Sequence, residues 1–250
     1  MRLDKFAGVS EPVMFVDQFT QEYSRDVEPM RGGHWDNYYY QMVDFIRRYK
    51  GVREVPQAGP PFSIVVDGRF EDWREVGPEY RDDIGDTMDR DHPGWGSAGP
   101  YVDCTGRNDI VSAKVTRDVD YLYFYARTRA PITPHTDPHW MMLYIDADCD
   151  PKTGWEGYDC VVNRRVRDGG VALLERWEDG KWASVGGVAY RISGRELELA
   201  VRRSALGLEE ASPVRFDFKW VDNVPPGDVM AFTERGDSAP NGRFRYRYRE

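Results

Sequence analysis

Carboxylates recur at alternate positions directly after an apolar run, in the segment Asp146-Ala147-Asp148-Cys149-Asp150. In a tight loop such side chains converge on one point, and a hard cation that accepts several oxygen ligands stabilises the convergence. Ca²⁺ fits this chemistry best, with a backbone carbonyl near Lys152 completing the coordination. Because Pro151 replaces the turn glycine, the loop is not an EF-hand, and the competing interpretation is an Asp-Pro turn with solvated carboxylates. The predicted calcium ligands are Asp146, Asp148, Asp150, Thr153 and Asp159.

Tryptophans bracketed by glycine or proline form the second group of candidate functional residues. Indoles in loops expose a flat face, on which a pyranose ring can stack its axial C–H groups. Packing anchors within the loops are the alternative interpretation. Trp177, Trp182 and Trp220 lie instead on alternating strands and are interpreted as core. The predicted sugar-binding residues are Trp95, Trp140, Trp155, Tyr101 and Arg107.

Motifs for nucleophilic or zinc chemistry are missing from the sequence. The four histidines have no serine or cysteine partner in a recognisable arrangement, and the three cysteines form no Cys-x-x-Cys pair. A disulfide between Cys149 and Cys160 is geometrically conceivable. Because it would leave one thiol over, the three cysteines stay unassigned. Residues 94–99 match the glycine spacing of a dinucleotide loop, but no strand precedes them and Pro100 follows. We therefore predict no catalytic residue.

Charge and composition exclude several classes of partner. The 250 residues carry 34 basic and 43 acidic side chains, a net charge of -9, and segment 67–91 alone has ten acids against four arginines. That segment repels phosphate backbones, which argues against nucleic acid, and suits either a bound cation or a solvated acidic loop. No apolar run approaches the roughly 20 residues of a membrane helix, so we expect no membrane partner. An aromatic content of 14% argues against disorder.

The first 50 residues predict a strand-loop-helix appendage. Residues 12–19 are a nearly continuous apolar run, typical of a strand buried on both faces. Asp36 is a candidate N-cap for a helix that continues to Lys50, and Gly51 is placed to end it. Residues 51–63 contain three prolines and two glycines with no apolar period, which predicts a linker.

Beyond the linker, apolar and polar residues alternate with a period of two almost to the end of the chain. Asp179 and Gly180 separate two apolar-aromatic runs, which is a strong hairpin signal. The only helical candidate is one turn at 204–206. We therefore expect a mostly β domain over 64–250, an antiparallel two-sheet β-sandwich of jelly-roll or immunoglobulin-like type. Predicted strands include 64–66, 110–115, 122–126, 141–145, 159–162, 171–177, 197–201, 214–220 and 244–248.

A series of short motifs runs in order along residues 62–249. The motifs are Val66-Asp67-Gly68 with Asp72-Trp73, Arg107-Asn108-Asp109, Tyr144-Ile145-Asp146, Phe216-Asp217-Phe218 and Gly236-Asp237-Ser238. Together they resemble family 9 carbohydrate-binding modules and the related DOMON-like sandwiches, although the stacking tryptophan pair of that family has no residue-by-residue counterpart here. The resemblance implies a β-sandwich that binds polysaccharide or oligosaccharide without catalysis, with structural calcium, outside the cell or in the periplasm, often beside a glycoside hydrolase.

The appendage at 1–50 resembles the last strand and helix of a glycoside-hydrolase-like (β/α) barrel. In that comparison, Asp17 and Glu22 follow the carboxyl end of the strand, where such barrels place active-site groups. A catalytic barrel domain is accordingly an expected partner.

Three other functions remain open at this point. The chain could itself be a glycan hydrolase or lyase that uses two of its acids. It could be a haem-binding DOMON-like module, with His139 and either Met141 or Met142 as ligands. It could also be a structural spacer between a barrel and another domain.

Overall fold

The computed structural model describes residues 2–3, 13–14, 37–51, 54–93 and 100–250. The chain divides into two compact units, Met1–Glu54 and Val55–Glu250, and each is treated by itself below. Most of the strand predicted over 12–19 lies outside the described residues, as do Asp17, Glu22, Asp36 and Trp95.

The first unit contains one short strand pair and one helix. Strand β1 (Arg2–Leu3) pairs antiparallel with β2 (Val13–Met14). Helix α1 (Asn37–Lys50) confirms the predicted helix, and Gly51 follows it with a positive φ of 80°, a conformation that glycine adopts without strain. Among the described residues, no helix combines the length and the apolar character needed to cross a membrane.

The second unit is built almost entirely from strands. Short 3₁₀ helices lie at Glu71–Arg74 and at Ser204–Leu206, the second as predicted, and helix α2 spans Ala231–Glu234. The strands are β3 (Glu79–Arg81), β4 (Arg90–His92), β5 (Tyr101–Asp103), β6 (Ile110–Arg117), β7 (Tyr121–Thr128), β8 (Met142–Asp146), β9 (Cys160–Asp168), β10 (Val171–Glu178), β11 (Lys181–Ser193), β12 (Glu196–Arg202), β13 (Arg215–Asp222), β14 (Asp237–Ala239) and β15 (Tyr246–Arg249).

Eleven of these strands form one antiparallel sheet that nearly closes on itself. Its order is β14-β13-β8-β9-β10-β11-β12-β7-β6-β3, and β15 pairs with β13 beside β14. The two ends of the sheet approach each other, because the Ile110 amide of β6 donates a hydrogen bond of 2.7 Å to Asp237 of β14. Strands β4 and β5 form a separate pair. The prediction of a mostly β, antiparallel domain is confirmed. The two layers that face each other are parts of one continuously paired sheet.

The core fills the space between the facing layers. The Phe124 ring of β7 lies 5.7 Å from that of Phe216 and 5.9 Å from that of Phe218, both on β13. A second apolar cluster, which includes Met142 and Tyr144, covers the other face of β8 and packs against Phe232 of α2. Strand β8 is therefore buried on both faces, and every one of its residues is shielded from solvent.

Several local predictions can be compared directly with the structure. The strand predicted over 64–66 is wrong: this segment is irregular, and Ile64 packs in a small cluster with Trp73. Part of the predicted linker is bonded to the second unit, since the Phe62 amide donates to the Arg117 carbonyl at 2.8 Å. The hairpin at 179–180 is confirmed, with φ of 51° and 76°. Cys104, Cys149 and Cys160 all carry free thiols.

Candidate functional site

Three carboxylates converge where β8 leads into β9. Asp146 ends β8, Asp148 lies in the following loop and Asp159 directly precedes β9. One oxygen of each carboxylate lies within 4.8 Å of the others, and we call these three residues the loop cluster. Asp146 is buried, Asp159 is partly buried and Asp148 is exposed. Of the three carboxylates at alternate positions that the sequence predicts to converge, Asp146 and Asp148 do so, and Asp159 takes the third place instead of Asp150.

The other two predicted ligands shape the loop. The Asp150 carboxylate accepts the Lys152 amide at 3.0 Å, which is an Asx turn, and is not part of the converging group. The Thr153 hydroxyl donates to the Asp148 carboxylate at 3.1 Å and to the Asp150 carbonyl at 2.9 Å. These bonds fold the loop back on itself, so that Asp148 is carried towards Asp146 and Asp159.

Asp146 combines burial with incomplete pairing. Its Oδ2 accepts a hydrogen bond of 2.5 Å from the Arg245 guanidinium, while its Oδ1 is shielded from solvent and has no donor among the described residues. Burial raises the pKa of Asp146 to about 6, although the Arg245 charge opposes the shift. Burial also raises the pKa of Asp159. The nearby Arg247 is engaged elsewhere, with two bonds of 2.7 Å to Asp217.

Three tryptophans lie next to the loop cluster, and we call Trp155, Trp177 and Trp182 the tryptophan array. The rings of Trp155 and Trp182 are 6.2 Å apart, and those of Trp177 and Trp182 are 5.1 Å apart. All three side chains are partly buried, so each retains exposed indole surface. The amide of Trp177 donates to the Asp159 carbonyl at 2.8 Å, which connects the array to the loop cluster.

Local structure fixes the orientation of the array. Trp177 and Trp182 are directly opposed across the hairpin of β10 and β11, two positions either side of its turn. Trp155 is held by two backbone hydrogen bonds with Tyr158, of 2.8 and 2.9 Å. Gly154 makes that turn possible, because its φ is 64° and a Cβ there would collide with the Tyr158 carbonyl. The array also packs on Tyr144, whose ring lies 5.6 Å from that of Trp155.

The sequence predicts Trp177 and Trp182 as core, and in the structure both are partly buried, with Trp182 packed against the second apolar cluster. The signal that could have identified their remaining exposed area is the hairpin turn. A two-residue turn brings the paired residues on either side of it together on one face of the hairpin. These residues lie near the tip of the hairpin, away from the middle of its strands. Trp220, the third tryptophan interpreted as core, is fully buried as predicted.

Trp140 and Arg107, which the sequence also predicts as sugar-binding residues, are engaged in other contacts. Trp140 is 0% exposed, and its Nε1 donates to the Thr133 carbonyl at 2.9 Å, so it offers no face for stacking and this prediction is corrected. The Arg107 side chain is 19% exposed and its Nε donates to the buried Asp222 at 2.6 Å. Tyr101 begins β5, and Trp95 lies outside the described residues.

The residues suggested for haem ligation are poorly placed for it. Met141 packs in the main core and Met142 in the second cluster, and both side chains are fully shielded from solvent. A porphyrin next to His139 would have to displace one of these two packed clusters.

No known protein guides the assignment of this site. Comparisons with family models, with curated proteins and with solved structures found no match to the chain. What the site does must therefore follow from its own side chains, which are three converging carboxylates beside three partly exposed indoles.

Proposed function

We propose that the β domain, residues 64–250, is a non-catalytic carbohydrate-binding module. Sugar rings stack on the tryptophan array, and calcium bound by the loop cluster fixes the segment that carries Trp155. The observation that carries this proposal is the contact of three partly exposed indoles, Trp155, Trp177 and Trp182, at the surface of one sheet.

The array has the surface chemistry that a pyranose requires. Indoles that touch each other but keep exposed area make a contiguous apolar patch, and such patches on soluble domains mark binding sites. The loop that carries Trp155 also carries the exposed carboxylate of Asp148. An apolar platform beside a charged loop suits a ligand that has apolar C–H faces and a perimeter of hydroxyls.

Calcium in the loop cluster would balance the negative charge of the carboxylates that converge beside Trp155. Ca²⁺ takes six to eight oxygen ligands, and Asp146, Asp148 and Asp159 each present one within a common sphere. The buried Asp146 Oδ1, which lacks a donor, would gain a partner. Because Trp155 lies between Asp148 and Asp159 in the chain, an ion held by both aspartates restrains the indole that they flank.

The wider setting belongs to the same proposal. The ligand is a polysaccharide or an oligosaccharide, encountered outside the cell or in the periplasm. The partner is a carbohydrate-active enzyme with a catalytic (β/α) barrel, of which residues 1–50 would be the last strand and helix. The support for this part is the resemblance of the sequence motifs.

Retention on immobilised polysaccharides tests the proposal. We expect Trp182→Ala and Trp155→Ala each to weaken retention by about 5- to 30-fold, which corresponds to about 1–2 kcal/mol of lost stacking. Trp182→Phe should lose less because it keeps an aromatic face. Phe62→Ala, which removes an exposed aromatic side chain outside the array, is the matched control.

Two results would count against a binding module. If no polymer retards the wild-type protein and its tryptophan fluorescence does not respond to sugar, the array has another role. If the protein turns over a glycan and one Asp or Glu substitution abolishes that turnover, the domain is an enzyme.

A further inference from the structure

A second concave site lies at the other end of β8 from the loop cluster. Residues 135–140 form one wall of this pocket, and Asn163 and Arg164 of β9 form the other. Its volume is about 410 Å³, and it opens to solvent. Strand β8 is five residues long, so the pocket is separated from the loop cluster by about 13 Å of extended chain. We call it the Asn163 pocket.

The backbone around the Asn163 pocket is held in conformations that non-glycine residues rarely adopt. His139, Met141 and Asn163 have φ of 51°, 37° and 67°. Such residues cost on the order of 1 kcal/mol each and persist only where the surroundings over-determine them. Here the buried Asp222 accepts the Met141 amide at 2.8 Å, and the Asn223 amide donates to the His139 carbonyl at 2.9 Å. Clustered strain of this kind is typical of ligand-binding sites.

Asn163 contributes an acceptor that has no partner. The residue is 1% exposed, and its Nδ2 donates to the Met141 carbonyl at 3.1 Å. Its Oδ1 is buried without a donor among the residues that the structure describes. An orphaned buried acceptor costs about 1–3 kcal/mol. Because Asn163 lines the pocket, a ligand hydroxyl that reached its amide would supply the missing donor.

The charges that border the pocket are already matched. Arg164 donates two hydrogen bonds, of 2.8 and 2.6 Å, to the fully buried Glu175, which Arg165 also contacts at 2.6 Å. Arg107 contacts Asp222 at 2.6 Å and Asp137 at 3.5 Å. The formal charges of these three arginines and three carboxylates sum to zero, so the described groups leave no net positive charge to select an anion. The pocket therefore favours a neutral ligand.

Two further lining groups, His139 and Thr136, are neutral donors and acceptors. Burial, with a smaller effect from Arg107, lowers the pKa of His139, so its imidazole is neutral at pH 7 and offers one donor and one acceptor. The hydroxyl of Thr136, which is exposed, adds a group that both donates and accepts. With the Asn163 amide, this set matches a ring that carries several hydroxyls.

We propose that the Asn163 pocket is a second binding site, which takes one neutral sugar ring edge-on through hydrogen bonds and without aromatic stacking. The choice of a sugar as the ligand class rests on the function proposed for the tryptophan array, whereas the site itself rests on the cavity, the strained backbone and the orphaned acceptor. The array would then bind sugars by stacking, and the pocket would bind them by hydrogen bonds.

Titration calorimetry with free D-glucose, D-galactose, D-mannose and D-xylose tests the proposal. We expect at least one of them to bind the wild-type protein in the millimolar range. Asn163→Gly should weaken that binding at least tenfold, because glycine keeps the positive φ but removes the amide. Thr136→Ala, at an exposed position where misfolding is not expected, should weaken it severalfold.

Trp182→Ala separates the pocket from the array. It should reduce polymer retention and leave the affinity for the free sugar unchanged. If the protein is retained on polymer but none of the four sugars binds, the pocket proposal fails and the module proposal stands. If a sugar binds with Asn163→Gly and Thr136→Ala unaffected, the pocket is not its site. Binding that depends on Asn163 without any polymer retention would overturn only the module proposal.

Discussion

Two groups of neighbouring acids among the described residues differ in geometry. In the loop cluster, three carboxylate oxygens meet within 4.8 Å. In the second group, which we call the edge cluster, the acids lie where β3, β6 and β14 approach one another, and no three of their oxygens meet that closely among the described residues. The members of the edge cluster are Asp82, Asp86, Asp109 and Asp237.

Hydrogen bonds keep the acids of the edge cluster apart. The Gly85 amide donates to Asp109 at 2.8 Å, the Ile110 amide to Asp237 at 2.7 Å and the Asn241 side chain to Asp86 at 2.5 Å, so three of the four carboxylates have a separate donor. Burial raises the pKa of Asp82 to about 7 and that of Asp237 well above its usual range. Converging oxygens favour a shared cation, whereas separated buried carboxylates are neutralised one at a time by protons.

Replacing Arg245 tests whether the loop cluster depends on added positive charge, and it has the largest expected effect. Arg245→Met removes the one described cation on Asp146 and should lower the free energy of unfolding by about 3–5 kcal/mol in chelator. Calcium should restore part of this loss by neutralising the same carboxylate. The measurement is urea unfolding with calcium and with chelator.

Arg247→Met is the matched control for that experiment. Arg247 pairs with Asp217, which lies outside the converging group, so its loss should not depend on calcium. If Arg245→Met and Arg247→Met respond identically to calcium, the loop cluster holds no ion.

Calcium alone should stabilise the wild-type protein by a smaller amount. An ion that binds only the native state at about 100 times its dissociation constant adds about 2.7 kcal/mol. For a unit of this size, that corresponds to a rise in Tm of about 5–11 °C. Asp148→Asn should abolish the rise, since asparagine can still accept the Asp150 amide but loses the charge. Identical melting curves in calcium and in chelator would contradict a calcium site.

At the edge cluster, we expect the free energy of unfolding to depend on pH and not on calcium. The pKa of Asp82 is raised in the folded state, so the folded protein retains a proton that the unfolded chain releases, and stability falls as the pH rises from about 4 to about 7. Asp82→Asn removes this penalty and should raise the free energy of unfolding by about 2 kcal/mol at pH 8, and by less at pH 5. The exposed neighbour Asp83 supplies the control, as Asp83→Asn. A gain that is equal at both pH values would refute the assignment.

The contrast between the clusters shows what the sequence could and could not predict. Asp146 and Asp148 are two residues apart, so their convergence depends on a local turn that the sequence encodes. The high density of acids in 67–91 suggested a cation there, but only Asp82 and Asp86 of that segment reach the edge cluster, and their partners Asp109 and Asp237 come from distant parts of the chain. Density along the chain does not determine which oxygens meet in space.

The predictions of strands and of side-chain exposure show the same division between features set by neighbouring residues and features set by the folded sheet. The period of two predicted most strands of the second unit, and the 179–180 turn predicted its hairpin, because both depend on neighbouring residues. The near closure of the sheet depends on pairings such as β13 with β14 and β15, which no local pattern specifies. The full burial of Trp140 and the partial burial of Trp182 follow from which surfaces of the folded sheet are covered, and no local sequence pattern specifies that.

The smallest expected effect lies within the loop cluster itself, at Asp150. The sequence predicted it as a calcium ligand, whereas the structure uses its carboxylate to accept the Lys152 amide. Asparagine makes the same Asx turn, so Asp150→Asn should change the free energy of unfolding by less than about 0.5 kcal/mol and preserve the calcium-induced rise in Tm. Asp148→Asn, measured in parallel, should lose that rise. If Asp150→Asn loses it as well, the loop rearranges on binding the ion, and Asp150 joins the coordination as the spacing first suggested.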